Sequence, residues 1–260
     1  MIPDAFARST IDREGEAGAA WLAELPAIVV HEPDAFAAWG GRGAVQLYER
    51  DDDRFAMLLE RANPSTLSEL ADGDEIATAA GQLSRRLSIP APAGLPRLAD
   101  QADSWADELH KGAADFPGAV PAPAMDAALA VVDELGRNQP DVLVHGDFHA
   151  RNILRGEREP WLAVDPKGYV GDPAYDGATL LGPRALALIE SADLMKGLRH
   201  ELDVFAEAAE LDRDRVRRWA HFRAVQAAFH GRRFGFGRAR SGPYLDRIIA
   251  LVDQLAVSWY

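Results

Sequence analysis

The chain has 260 residues, enough for one sizeable core or two smaller ones, with 48% hydrophobic and 27% charged residues, the balance of a globular protein. It carries no cysteine, which excludes a disulfide framework and thiolate metal sites. A formal net charge of −13 argues against nucleic acid, whose binders present a basic face, and suits a cationic small-molecule substrate as well as it suits plain solubility.

Met1-Ile2-Pro3-Asp4 lacks the basic and apolar regions of a secretory leader, and no run approaches the ~20 apolar residues of a membrane helix. The expectation is a cytoplasmic protein with no membrane partner. Ile11 to Leu25 has amphipathic helical spacing, with Trp21, Leu22 and Leu25 inward and Pro26 as the stop. Glu32 to Trp39 reads as a short helix burying Phe36 and Trp39. Ala44 to Tyr48 and Arg54 to Leu59 alternate like an antiparallel strand pair around Asp51-Asp52-Asp53. Arg61 to Ser65 is a crossing segment, since Pro64 disfavours helix before it. Beyond it the pattern turns helical: Thr66 to Leu87, a proline-rich connector from Ser88 to Arg97, then Leu98 to Leu109 and Ala122 to Leu135. After a strand-rich centre, helices are expected over Ala174 to Leu181, Arg184 to Ala206, Arg213 to Gly231 and Tyr244 to Trp259. Trp219, His221, Phe222 and Phe229 read as core, and the basic, aromatic and glycine-rich run from His230 to Arg240 as a surface loop. This is an α+β chain: a small β-containing part, residues 1–61, and a larger helical part, residues 62–260.

The centre carries the chemistry. Asp141 to Val144 is a short strand, followed by His145-Gly146-Asp147-Phe148-His149-Ala150-Arg151-Asn152. Ile153-Leu154 and Trp161 to Val164 flank a turn marked by Gly156 and Pro160, so a hairpin folds Asn152 back beside Asp165. His-x-Asp-x4-Asn followed by a second Asp is the layout of a phosphoryl-transfer site. Asp147 is placed to meet an acceptor hydroxyl. Asn152 and Asp165 offer one amide oxygen and one carboxylate, the sparse oxygen set that Mg²⁺ takes when phosphates and waters supply the rest. Each residue alone is an ordinary turn or cap residue; the joint spacing decides for ATP and Mg²⁺.

His145 to Leu154, Ala163-Val164-Asp165-Pro166-Lys167 and Gly171-Asp172-Pro173-Ala174-Tyr175-Asp176 resemble the aminoglycoside phosphotransferase superfamily, in its streptomycin 6-kinase and hydroxyurea phosphotransferase branch. Trp39 to Leu47 and Met57 to Arg61 fit its small-lobe pattern more loosely. The resemblance implies a bilobal protein-kinase-like fold and ATP-dependent phosphorylation of a small hydroxylated, cationic substrate. Asp147 would be catalytic and His145 would brace its loop. Asn152 and Asp165 would hold the metal, Asp176 would shape the loop, and Glu60 and Arg61 would meet the adenine at the hinge. An acidic acceptor pocket is also implied, with Glu190, Asp193 and Glu201 the carboxylates of that region. Arg151 stands where related chains often have a small residue. Lys167 can reach a phosphate, but pairing with Asp172 or Asp176 is the expected outcome, and His149 is expected to face solvent.

The sequence departs from the pattern in one respect. Glu32 suits the helix glutamate that pairs with a strand lysine, yet no lysine precedes Lys111 and no glycine hairpin lies between Trp21 and Trp39. A stretch left out between Val29 and Pro33, a true deletion, or replacement by Arg42, Arg50 or Arg54 would each explain this. The first predicts a Cα–Cα step far wider than about 3.8 Å near His31.

Overall fold

The computed structural model describes residues 31–191, 193–236, 239 and 241–259. The helix expected over Ile11 to Leu25 and the backbone step from Val29 into His31 lie outside them. Helix α1 (Glu32–Trp39) has Pro33 in its first turn, where a missing N–H costs nothing, and Glu32 and Asp34 at its positive end. It stops at Gly40, whose φ of 55° is left-handed. Phe36 and Trp39 are fully buried, and Trp39 Nε1 donates to the Leu87 carbonyl at 2.8 Å.

Strands β1 (Leu47–Asp51) and β2 (Ala56–Leu59) pair antiparallel across the acidic turn. The strand expected from Ala44 begins only at Leu47. Residues 43–45 are claimed by another element: Val45 N donates to the Ala163 carbonyl at 3.1 Å and Ala163 N donates to the Gly43 carbonyl at 2.8 Å. The helix expected from Thr66 also begins late. Leu67–Glu69 is one 3₁₀ turn closed by a capping box between Thr66 and Glu69. Asp72 then caps α2 (Gly73–Leu87), accepting from the amides of Asp74 and Glu75. The apolar spacing runs across this break, and the caps mark it.

β3 (Ile89–Pro90) lies inside the stretch read as a connector. It pairs antiparallel with β4 (Val142–Val144), which pairs on its other side with β7 (Tyr169–Val170). Between come α3 (Ala102–Asp115) and α4 (Ala122–Val131), the latter widening into a π turn over Val132–Gly136. β5 (Ile153–Arg155) and β6 (Trp161–Ala163) form the expected hairpin. α5 (Pro173–Ala187), α6 (Leu194–Ala208), α7 (Arg213–Phe234) and α8 (Pro243–Ala256) complete the described chain.

The helix expected as one piece from Arg184 to Ala206 is two. α5 continues through Pro183 because Ala178, Leu180, Leu181 and Ala185 are buried around it and hold it against the proline's missing hydrogen bond. α5 ends at Ala187 and α6 begins at Leu194. Trp219, His221, Phe222 and Phe229 are core residues, and Trp105, Tyr175, Trp219 and Phe222 form one aromatic cluster with ring centroids 5.1–5.9 Å apart. The run expected to be a loop from His230 is helical to Phe234, after which Phe236 folds back onto Gly231. Gly237, Arg238 and Arg240 lie outside the described residues.

Candidate active site

The end of β4 delivers His145 into a fully buried position. Its Nε2 lies 2.9 Å from the Val164 carbonyl and its Nδ1 accepts from the Asp147 amide at 3.3 Å. These contacts fix one tautomer, with the proton on Nε2. Burial pushes the imidazole down to about 4, so the ring is neutral, lying parallel to Trp39 and edge-on to Phe148. Behind the loop, the buried carboxylate of Asp176 accepts from the amides of His145 and Gly146, both at 2.8 Å. Burial raises Asp176 to about 7 against those two bonds, which favour its charged form. Gly146 is required here: its φ is 84°, and a Cβ would meet the Tyr169 ring at 2.7 Å.

The loop turns through a short 3₁₀ segment, Ala150–Asn152, into β5. Asn152 is nearly buried, and its Nδ2 donates to the Asp147 carbonyl at 3.1 Å, with no hydrogen-bond partner for its Oδ1 among the described residues. Val164 N donates to the Asn152 carbonyl at 2.9 Å, which carries Asp165 back beside Asn152. Asp165 has a φ of 56°, an uncommon left-handed setting for a non-glycine residue, and a half-exposed side chain. The structure thus joins Asp147 to Asn152 by a side-chain bond and sets Asp165 alongside. Two oxygens of hard character with open coordination suit Mg²⁺ held with phosphates; among the described residues no group of three His, Cys, Asp or Glu side chains could hold a metal.

Lys167 pairs with neither Asp172 nor Asp176, contrary to expectation. Its Nζ donates to Asp165 Oδ1 at 2.9 Å. Asp172 is taken by Arg215 and the Trp219 indole, and Asp176 by backbone amides, so neither has room for it. Glu32 faces the same group: burial raises it to about 7, the charge on Asp165 adds to this, and Lys167 opposes it. Gly168 lets the start of α1 settle on this segment, since a Cβ there would lie 2.8 Å from the His31 carbonyl. Glu32, Asp165 and Lys167 therefore form one cluster. Arg50 is spent on Asp34 and Asp52, and Arg54 on Asp51.

Glu60 follows β2. Its amide donates to the Gln46 carbonyl at 2.7 Å, and its carboxylate accepts from Gln46 N and from Arg158 Nη2. The Arg158 bond holds Glu60 below the usual carboxylate range. Arg158, which sequence reasoning did not single out, thereby ties the crossing segment to the β5–β6 turn. Arg61 is exposed and makes no side-chain bond within the described residues.

Beside Asp147 opens a cavity of about 270 Å³ between α5, α7 and α8. His149 lines it rather than facing solvent, with Nε2 3.7 Å from Asp147 Oδ2. The three acidic residues expected at an acceptor pocket do not line it. Glu190 pairs with Arg247 at the surface, Asp193 starts α6, and Glu201 is held bidentate by Arg184. Arg223 does line it, and the sequence offered no signal for that beyond its place in α7.

Residues 13–235 match the family described as aminoglycoside/hydroxyurea antibiotic resistance kinase. The chain is 30% identical to the streptomycin 6-kinase of Streptomyces griseus, covering 86% of this chain and 89% of that protein. It is 36% identical to the hydroxyurea phosphotransferase of Kitasatospora aureofaciens over 75% of this chain and 56% of that one. A crystal structure of a choline kinase from Streptococcus pneumoniae superposes with a TM-score of 0.51 at 13% identity, over 87% of this chain and 78% of that one, a likeness of fold. The S. griseus alignment spans 272 positions, whereas 86% of 260 residues is about 224, so about 48 positions have no counterpart here.

Proposed function

The chain belongs to the aminoglycoside/hydroxyurea antibiotic resistance kinase family and is a phosphotransferase of bilobal kinase-like fold; from that premise we propose that it transfers the γ-phosphoryl group of ATP, with Mg²⁺, to a hydroxyl of a small molecule. The observation that carries this reading is the bonded trio of Asp147, Asn152 and the Asp165 turn. Asn152 and Asp165 would hold the metal, which when bound neutralises charge on the β- and γ-phosphates. Asp147 orients the acceptor hydroxyl and takes its proton. His145, neutral and pinned at both nitrogens, fixes the Asp147 amide. Glu60 and Arg61 would meet the adenine edge through their backbone groups.

Lys167 would supply the positive charge that a strand lysine gives elsewhere. It is the lysine beside Asp165 and Glu32, and the small part of the chain has none. Its ammonium pairs with Asp165, and a metal bound there would free it towards phosphate. Candidate acceptors begin with those named for the relatives, a streptomycin-type aminoglycoside and hydroxyurea.

Asp147→Ala tests the assignment. Phosphate transfer should fall by about a thousandfold or more, on the scale of removing one organised polar group from an active site, with an unchanged circular-dichroism spectrum. Full turnover by this variant overturns the role of Asp147. Calorimetric binding of Mg-ATP by the wild type, with no turnover on any acceptor, would leave a nucleotide-binding protein without transfer activity.

A further inference from the structure

Residues 60–63 follow β2 and belong to no helix or strand. Holding such a stretch in one place opposes backbone entropy, so its position rests on the bonds it makes. Its far end is tied to the β5–β6 hairpin by backbone: Asn63 N donates to the Arg155 carbonyl at 3.0 Å, and Arg155 N donates to the Ser65 carbonyl at 2.9 Å. Its near end, Glu60, reaches the same hairpin through a side chain.

That side chain is Arg158, in the turn of the hairpin, and its guanidinium is bonded in three directions. Nη2 donates to Glu60 Oε2 at 2.8 Å and to the Ala44 carbonyl at 3.1 Å, and Nη1 donates to Glu159 Oε1 at 2.8 Å. Glu159 Oε1 also accepts from Gly43 N at 3.1 Å, and its Oε2 lies 3.0 Å from Arg86 Nη1 on α2. Charges of alternating sign, Arg86, Glu159, Arg158 and Glu60, therefore run from α2 to the crossing segment. A planar fork meets a carboxylate and a carbonyl at set angles together, which a single ammonium does poorly. Asn152 and Asp165 are placed by other bonds: the β5–β6 ladder, and Val164 N on the Asn152 carbonyl.

Building on the reading that the adenine meets the backbone of Glu60 and Arg61, we propose that Arg158 is a positioning residue for the nucleotide. It keeps the near end of the crossing segment in the arrangement from which its backbone pairs with the base. Without Arg158, Glu60 retains Gln46 N as its partner and the segment visits further arrangements. A nucleotide then binds only the competent fraction, and apparent affinity falls by that fraction. The triphosphate and its metal do not draw on this segment, so a ligand without a base escapes the loss.

The test uses the full chain, with calorimetry of Mg-ATP and of Mg-tripolyphosphate. Arg158→Gln should weaken Mg-ATP by about tenfold, between the worth of a solvent-screened pair and that of a buried charge-assisted bond. Mg-tripolyphosphate should bind as it does to the wild type. Arg158→Lys, which keeps the charge and loses the fork, should recover part of the affinity. Glu60→Gln should weaken Mg-ATP in the wild-type background and add little once Arg158 is replaced, because the two act as one unit. A merely structural Arg158 would instead lower the melting temperature and leave nucleotide affinity in the folded protein unchanged. Unchanged Mg-ATP affinity in Arg158→Gln, additive losses with Glu60→Gln, or an equal loss for Mg-tripolyphosphate overturns the proposal. Failure of the wild type to bind Mg-ATP would remove the nucleotide reading itself, and the role of Arg158 with it.

Discussion

His145 and Asp176 are joined through a backbone amide and are both buried, yet their protonation equilibria pull stability in opposite directions. The His145 value falls from 6.5 to about 4 on folding. Between those values the unfolded chain holds the proton more tightly, so its contribution is full above pH 6.5 and is lost as pH falls towards 4. Asp176 rises from 3.8 to about 7, so the folded state holds the proton more tightly and its contribution is lost as pH rises through that window. The two shifts are worth on the order of 3 and 4 kcal/mol, and in the wild type they largely offset. Urea unfolding at several pH values between 4.5 and 7.5 should separate them. Asp176→Asn should lose stability more steeply on acidification than the wild type, and His145→Asn should be relatively strengthened by acid. Parallel pH profiles for all three proteins would contradict this pairing. The polar loop itself was legible in the sequence because its residues sit at fixed offsets around one strand and one hairpin. The partner of Lys167 was not legible, since it depends on which carboxylates the backbone amides and Trp219 had already taken.

At the scale of elements, α2 and α6 approach so closely that Gly81 is wedged against the other helix's backbone. A Cβ there would lie 2.6 Å from the Phe205 carbonyl oxygen and 2.7 Å from the Ala208 Cβ. Glycine to alanine inside a helix ordinarily stabilises by about 1 kcal/mol. Here the clash is with backbone, which cannot swing aside, and the overpacking cost of about 1–3 kcal/mol wins. Gly81→Ala should therefore lower the melting temperature; a rise would show that the two helices have slack between them. Helices were read well wherever one apolar stripe ran between clear stops. The errors fell where local chemistry outranked periodicity: Asp72 restarted a helix, burial carried α5 past Pro183, and the hydrogen bonds to Ala163 drew residues 43–45 out of the first hairpin. A strand of two residues such as β3 has no periodicity to read.

On the scale of the whole molecule, the hairpin of β1 and β2 is not an independent body. Trp39 is bonded to the end of α2, Val45 to β6, and Glu60 to Arg158. Buried indoles lie both at this junction, Trp39, and deep among the helices, Trp105 and Trp219. Tryptophan fluorescence and far-ultraviolet circular dichroism should therefore report one coincident transition in urea. Two separated midpoints would mean that the hairpin with α1 melts on its own. The α+β class and its order along the chain were visible in the composition of successive segments. The cavity was not, because it exists only where three helices fail to close over one another.

The two hydrogen bonds that grip Ala163 have a mechanical result. Gly43 and Val45 hold that residue just before Asp165, while Gln46 is fastened to Glu60. The proposed seat for the base and the proposed arm for the ion are thus stitched into a single bracket, and a nucleotide bound as proposed would land on a surface already set.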